Sequence, residues 1–234
     1  MAFVVLTGCN SGIGYETAKL ALASGWKVHA LDVEVGSNLR SLENQNCKIA
    51  QVDVTDPESI RKFRQDLLGE PIDLLFNIAG IIMPDPKTRD SLDTLTLPTM
   101  ERCFAINTYG PLLLTQALMP NILAADKPSR IAVISSRVGS LADNTSGGMY
   151  AYRASKTAVN SLFKSLAIEL KDKGVVVTML HPGFTKTNLN PESKKVPGAV
   201  EPEVAAQGLW NLILDKGVEE TGRFWHREGY ELPW

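Results

Sequence analysis

Phe3-Val4-Val5-Leu6-Thr7-Gly8-Cys9-Asn10-Ser11-Gly12-Ile13-Gly14 decides the fold. An apolar, β-branched run passes directly into a glycine turn, and Tyr15, Ala18, Leu20 and Leu22 then continue at helical spacing. Strand, tight turn and helix in that order open a parallel βαβ unit. Gly8 allows the sharp turn, Gly12 permits close approach of a pyrophosphate to the backbone, and Gly14 lets helix pack on sheet. Asn10, Ser11 and Ile13 lie among them, at a helix start whose free N–H groups and partial positive charge suit an anion. A dinucleotide is the expected ligand.

Moving outward, Asp32 ends the next apolar run, 18 residues beyond Gly14, where such folds present an acid to the adenosine ribose hydroxyls. A 2′-phosphate there would oppose Asp32 by about 4 kcal/mol at ~4 Å and an effective dielectric near 20. Val33, Glu34 and the glycine loop hold no Lys or Arg to offset this. NAD(H) is therefore expected in preference to NADP(H). Asp53 and Val54 follow the third run, Asp53 suiting either an adenine amino group or the cap of the turn before Asp56-Pro57. Asn77, Ala79 and Gly80 end the fourth, where small residues leave room for a cofactor.

The remaining runs, Lys27 to Asp32, Lys48 to Val52, Ile72 to Asn77, Arg130 to Ser135, Val175 to Leu180 and a shorter one near Phe224, alternate with helical stretches. That rhythm gives an α/β fold, a parallel sheet with helices on both faces, in one domain over residues 1–234. Lys and Arg number 24 against 26 Asp and Glu, so the surface lacks the basic footprint of a nucleic-acid or acidic-membrane binder. No stretch approaches the ~18 apolar residues of a membrane span. The three widely spaced cysteines fit neither a disulfide framework nor a zinc site, and no metal is expected. With no basic leader before the first strand, a cytoplasmic protein is expected.

Tyr152-Arg153-Ala154-Ser155-Lys156 begins a helix, and a spacing of four puts Tyr152 and Lys156 on one face. Hydride transfer to a carbonyl leaves an alkoxide that needs a proton, and the reverse reaction needs a base. A tyrosine serves both if its pKa falls by ~3 units from about 10, which costs about 4 kcal/mol; one ammonium ~4 Å away supplies that in a partly desolvated site. Ser136, ending the fifth strand, is the expected donor to the oxyanion, with Ser135 as competitor on the opposite face. Pro111 lies four residues after Asn107 and has no N–H for the Asn107 carbonyl, which is then free to hold a water leading to Lys156. Pro182, Gly183, Phe184, Thr185 and Thr187 follow the sixth strand with groups suited to a nicotinamide carboxamide and a phosphate. His181 reads as structural. Arg137, Leu141, Met149, Phe184 and the stretch Asn188 to Gly198, a candidate lid, are expected around the substrate.

Thr7-Gly8-x-x-x-Gly12-Ile13-Gly14, Asn77-x-Ala79-Gly80, Asn107, Ser136, Tyr152-x-x-x-Lys156 and Pro182-Gly183-x-x-x-Thr187 together resemble the short-chain dehydrogenase/reductase family. The resemblance implies a Rossmann-like doubly wound sheet of seven strands, an Asn-Ser-Tyr-Lys tetrad, NAD(P)(H), a small carbonyl or alcohol substrate, and a homodimer or homotetramer. In it Tyr152 is the acid/base, Ser136 orients the substrate oxygen, Lys156 lowers the tyrosine pKa and grips the nicotinamide ribose, and Asn107 supports a water relay. Ile78 departs from the pattern, as do the 16 positions from Ser136 to Tyr152, about three more than expected. The extra residues around Asp143 to Gly148 and the ending Trp225 to Trp234 are similar to sniffer/C-factor-like carbonyl reductases. A nucleotide-binding redox sensor or scaffold, with Cys9 inside the glycine loop, is the competing reading.

Overall fold

Each apolar run becomes a strand of one parallel sheet in the computed structural model, which describes residues 1–82, 90–126 and 128–234. The strands are β1 (Phe3–Thr7), β2 (Lys27–Asp32), β3 (Cys47–Gln51), β4 (Leu74–Asn77), β5 (Ser129–Ile134), β6 (Val175–His181) and β7 (Arg223–His226). Their order is β3-β2-β1-β4-β5-β6-β7, so the sheet winds in opposite directions from the gap between β1 and β4. At that switch point the helices depart to opposite faces and leave a crevice at the strands' C-terminal ends.

The alternation of side chains explains why the runs look continuously apolar. Phe3 and Val5 enter one core with Leu114, Val159 and Phe163, while Val4 and Leu6 enter the other with Ala18, Leu209 and Trp210. Both faces are covered, so both sets must be apolar. The helices are α1 (Gly12–Ala23), α2 (Ser37–Leu42), α3 (Pro57–Asp66), α4 (Leu97–Phe104), α5 (Gly110–Ala124), α6 (Tyr150–Leu170) and α7 (Pro202–Asp215). Asp56 caps α3 through the Glu58 N–H and Thr96 caps α4 through the Thr99 N–H, each followed by proline in the first turn, as the sequence signals.

β3, β5 and β6 shift by one residue from the sequence reading, and three differences go further. β4 starts two residues late because the Ile72 N–H is diverted to the Asn121 carbonyl. The helical stretch that carries Asn107 and Pro111 is not continuous but is divided by a π turn over Ala105–Tyr109, in which the Gly110 N–H reaches back to Ala105. Pro111, lacking an N–H, is the physical cause of that widened turn, and Asn107 sits at its centre. Third, α6 starts at Tyr150, two residues before Tyr152, out of a left-handed Met149 at φ +53°. Among the described residues, no helix is long and apolar enough to cross a membrane.

Candidate active site

A cleft of about 960 Å³ opens over the C-terminal ends of the strands, near the top of the ~300–1,000 Å³ range usual for ligand sites. Gly8, Ser11, Gly12, Ile13 and Gly14 line one wall, with Asp32, Asp53, Val54, Ala79 and Gly80 beside them. Pro182, Gly183, Phe184, Thr185 and Thr187 line the facing wall. The two walls meet where Thr187 Cγ2 lies 3.2 Å from the place a Cβ on Gly12 would take. Gly12 and Gly8 both have positive φ, so the loop curls with its backbone toward the cleft, a cradle that fits a pyrophosphate. Gly14 differs from its expected role: a Cβ there would stand 2.1 Å from the Gly8 carbonyl oxygen, so its bareness closes the loop onto its own helix.

Asn10 and Asn77 do not line the cleft. The Asn10 side chain accepts from the Leu39 N–H, its carbonyl accepts from Asn38, and it thereby ties the glycine loop to α2. Asn77 is buried beneath the cleft and donates toward Thr115 Oγ1 and the Ala132 carbonyl. Thr7, the first residue of the motif, for which the sequence suggested no role, works at the rim: its Oγ1 accepts from the N–H groups of both Ile78 and Ala79 and fixes the chain leaving β4. Asp53 lines the cleft while its Oδ1 accepts from the N–H and hydroxyl of Thr55, as in a turn cap.

The chemistry side is built around α6. Tyr152, Lys156, Ser136 and Asn107 are all buried; Tyr152 and Ser136 line the cleft, whereas Lys156 and Asn107 lie behind its wall. Ser135 instead turns to the Lys156 carbonyl at 3.4 Å, which separates the two serines by the pleat of the strand end. Lys156 Nζ donates to the Ile134 carbonyl at 2.9 Å and lies 5.8 Å from the centre of the Tyr152 ring. The Asn107 side chain is fully engaged: Oδ1 accepts from the Ile81 N–H, and Nδ2 donates to the Ile81 carbonyl and to Ser155 Oγ. It clamps the chain after β4 to α6.

The expected depression of the tyrosine pKa is not what the chain alone produces. Burial pushes the Tyr152 phenol up to about 12, with Ser136 pulling it back in part. Burial also pushes Lys156 down to about 8. The ammonium is directed at a carbonyl, so desolvation wins over its attraction for a phenolate. At neutral pH Tyr152 is a protonated donor.

Arg137 and Met149 line the cleft as expected, and Leu141 does not. Arg137 Nε donates to Asp143 Oδ2 at 2.7 Å, and Arg153 donates to the Gly147 and Gly148 carbonyls and to Ser146, so two arginines hold the extra loop as a wall of the site. The stretch Asn188 to Gly198 contributes Leu189, Asn190, Ser193 and Gly198 to the cleft wall. It is closed at its base by paired backbone bonds between Phe184, Lys186 and Val200. Also missed were His226, which ends the last strand, and Arg227, Glu228 and Tyr230, which follow it; all four line the cleft. The signal was their place just outside the C-terminal end of a parallel strand. Burial pushes the His181 imidazole down to about 3, and Cys9 is fully buried with its thiol pKa raised by desolvation.

A switch-point cleft with a glycine cradle at one end and a buried hydroxyl pair beside an amine at the other defines a dinucleotide-dependent oxidoreductase. The short chain dehydrogenase family model matches residues 2–197, and the chain belongs to that family. It is 33% identical to the 1-hydroxy-2-glutathionyl-2-methyl-3-butene dehydrogenase of Rhodococcus sp. (strain AD45) over the whole of both chains. The NADPH-bound carbonyl reductase from chicken fatty liver superposes with a TM-score of 0.87 at 29% identity, covering 100% of this chain and 99% of that one. The carbonyl reductase Sniffer of D. melanogaster gives 0.88 at 26%, with the same coverage, in keeping with the subgroup resemblance.

These neighbours correct the expected preference for NAD(H), since the chicken enzyme holds NADPH. The geometry at Asp32 supplies a reason. Its Oδ2 accepts from the Asn10 N–H at 2.8 Å and its Oδ1 from the Glu34 N–H at 3.1 Å. A carboxylate held by two backbone dipoles repels a phosphate less than the bare charge pair assumed from the sequence.

Proposed function

We propose that this protein is an NADP(H)-linked reductase and dehydrogenase of small carbonyl and alcohol compounds. The observation that carries the reading is the meeting of Ser136 and Tyr152, with Lys156 buried behind the tyrosine, at one end of the cleft whose other end is the glycine cradle. A nicotinamide dinucleotide held by the glycine cradle and the Pro182 to Thr187 wall would supply hydride exchange with the substrate carbon. Ser136 holds the substrate oxygen against Tyr152, which gives its proton as charge develops there. Lys156, fixed by Ile134, stabilises the phenolate left behind and would hold the nicotinamide ribose. Asn107 keeps the floor of the site in register, and its backbone carbonyl, which Pro111 cannot engage, accepts the water that returns a proton toward Lys156.

Use as a redox sensor finds little support, because Cys9 is sealed in the core with its thiolate disfavoured. Purified protein given NADPH or NADH with a panel of ketones and aldehydes should oxidise the cofactor, and Tyr152→Phe should lose turnover but keep nucleotide binding. Nucleotide binding without turnover on any panel member would instead favour regulated association.

A further inference from the structure

We propose that Asp90 is a positioning residue that builds the N-terminus of α6 and, through it, sets the place and charge of the Tyr152 phenol. The proposal rests on the reading of Tyr152 as the proton-transfer group. Gly147, Gly148 and Met149 run into the helix with φ of +63°, +66° and +53°, three left-handed residues in succession. A methionine held there is strained and offers no side-chain cap. The first turn therefore presents N–H groups with no local acceptor.

Asp90 takes three of them. Its backbone carbonyl accepts from Met149 at 2.9 Å, its Oδ1 from Ala151 at 3.1 Å and its Oδ2 from Tyr152 at 3.0 Å. The first bond internal to the helix is Arg153 N–H to the Met149 carbonyl. Asp90 thus does for α6 what Asp56 does for α3 from the adjacent position, but from 59 residues before Met149. Its second oxygen ends on the residue that carries the phenol, so any slackening moves Tyr152 relative to Ser136, whose position is set by β5.

The carboxylate also places a negative charge at a helix N-terminus, offsetting the dipole that would otherwise favour a phenolate in the first turn. The other titratable groups around the phenol are Cys103 from α4 and Lys156 from α6, with the paired Arg137 and Asp143, Arg102 and Arg153 further along the same cleft. Burial raises the Cys103 pKa first and the Asp90 charge second, so that charge is felt inside this pocket.

Asp90→Asn and Asp90→Ala in the full-length protein test the proposal. Hydrogen exchange at the Ala151 and Tyr152 amides should speed up in Asp90→Ala and lie between in Asp90→Asn, which keeps one carbonyl acceptor, while thermal melts show both folded. With a ketone from the panel, kcat should fall about tenfold in the alanine variant and about threefold in the asparagine variant, with KM for NADPH within twofold. In both, the pH at half-maximal kcat should move down, because removing the charge favours the phenolate. Unchanged exchange at those two amides overturns the cap, and a pH profile superimposable on the unsubstituted protein overturns its electrostatic role. If Asp90→Ala does not fold, the asparagine variant carries both readouts. The exchange experiment needs no turnover, so the cap stands or falls even if Tyr152→Phe remains active and the enzymatic reading fails.

Discussion

The two ends of the cleft are made differently. At the nucleotide end, one contiguous turn, Gly8 to Gly14, supplies backbone, and its essential feature is the lack of side chains. At the chemical end, buried side chains arrive from the end of β5, the π turn and α6, more exposed ones from the segment after β7, and Asp90 holds the helix from far away in sequence. A backbone cradle tolerates almost no added atoms, whereas a side-chain assembly tolerates local repacking but loses function when one polar group is removed. Tyr152→Phe is the sharpest test of that contrast. It should reduce kcat about a thousandfold, within the range for loss of a general acid, while Kd for NADPH measured by fluorescence stays within twofold.

Gly14→Ala attacks the other end. The added Cβ falls 2.1 Å from the Gly8 carbonyl oxygen, a backbone atom that cannot swing aside. Overpacking of this kind costs about 1–3 kcal/mol, and here it also opens the cradle. NADPH affinity should drop by about a hundredfold in calorimetric titrations, with the urea midpoint lowered. Equal affinities for the two proteins would mean that the loop does not contact the pyrophosphate.

The same contrast decides what could be read in the sequence. Strand runs, glycine turn and proline-led helix starts are local patterns, and all survive in the structure, as do Ser136, Tyr152 and Lys156 as a group. Asp32 was legible as an acid at a strand end, but not as an acceptor for Asn10 and Glu34, because those bonds depend on loop geometry. Asp90 carried no signal at all. A cap normally adjoins its helix, and nothing near residue 149 says that the acceptor comes from the chain before α4. The pKa of Tyr152 was misread for a related reason: one-turn spacing on a helix fixes a shared face, not the direction of an ammonium that prefers the Ile134 carbonyl.

Beneath both ends lies a further test of how the sheet is built. His29 is packed on β2 between Phe3 and Phe63 with its Nε2 unpartnered, and burial pushes its pKa down to about 4. Its unfolded counterpart takes up a proton near pH 6.5, so stability is complete above 6.5 and is lost as pH falls toward 4. His181 adds to the loss down to about pH 3. The His29 contribution is on the order of 3 kcal/mol, and urea melts at pH 7.0 and 4.5 should show it. His29→Leu should shrink that difference, leaving the His181 share, without touching the cleft.

The smallest effect expected is the most informative about where one end gives way to the other. Arg227 Nη1 donates to the Pro182 carbonyl at 2.9 Å, and a Cβ on Gly183 would lie 1.7 Å from the same nitrogen, so the guanidinium rests on the turn that faces the glycine cradle. Its other contact, to Glu228, is an exposed ion pair worth little. Arg227→Ala leaves the Pro182 carbonyl facing a solvated cleft, so the cost is about that of one charge-assisted hydrogen bond, roughly 1–2 kcal/mol at most. Because Pro182 to Thr187 belong to the cofactor wall, the loss should appear as about a fivefold weaker Kd for NADPH with kcat within twofold. A fall in kcat at unchanged NADPH affinity would instead assign the segment after β7 to the substrate, and would move the boundary between backbone cradle and side-chain assembly across Gly183.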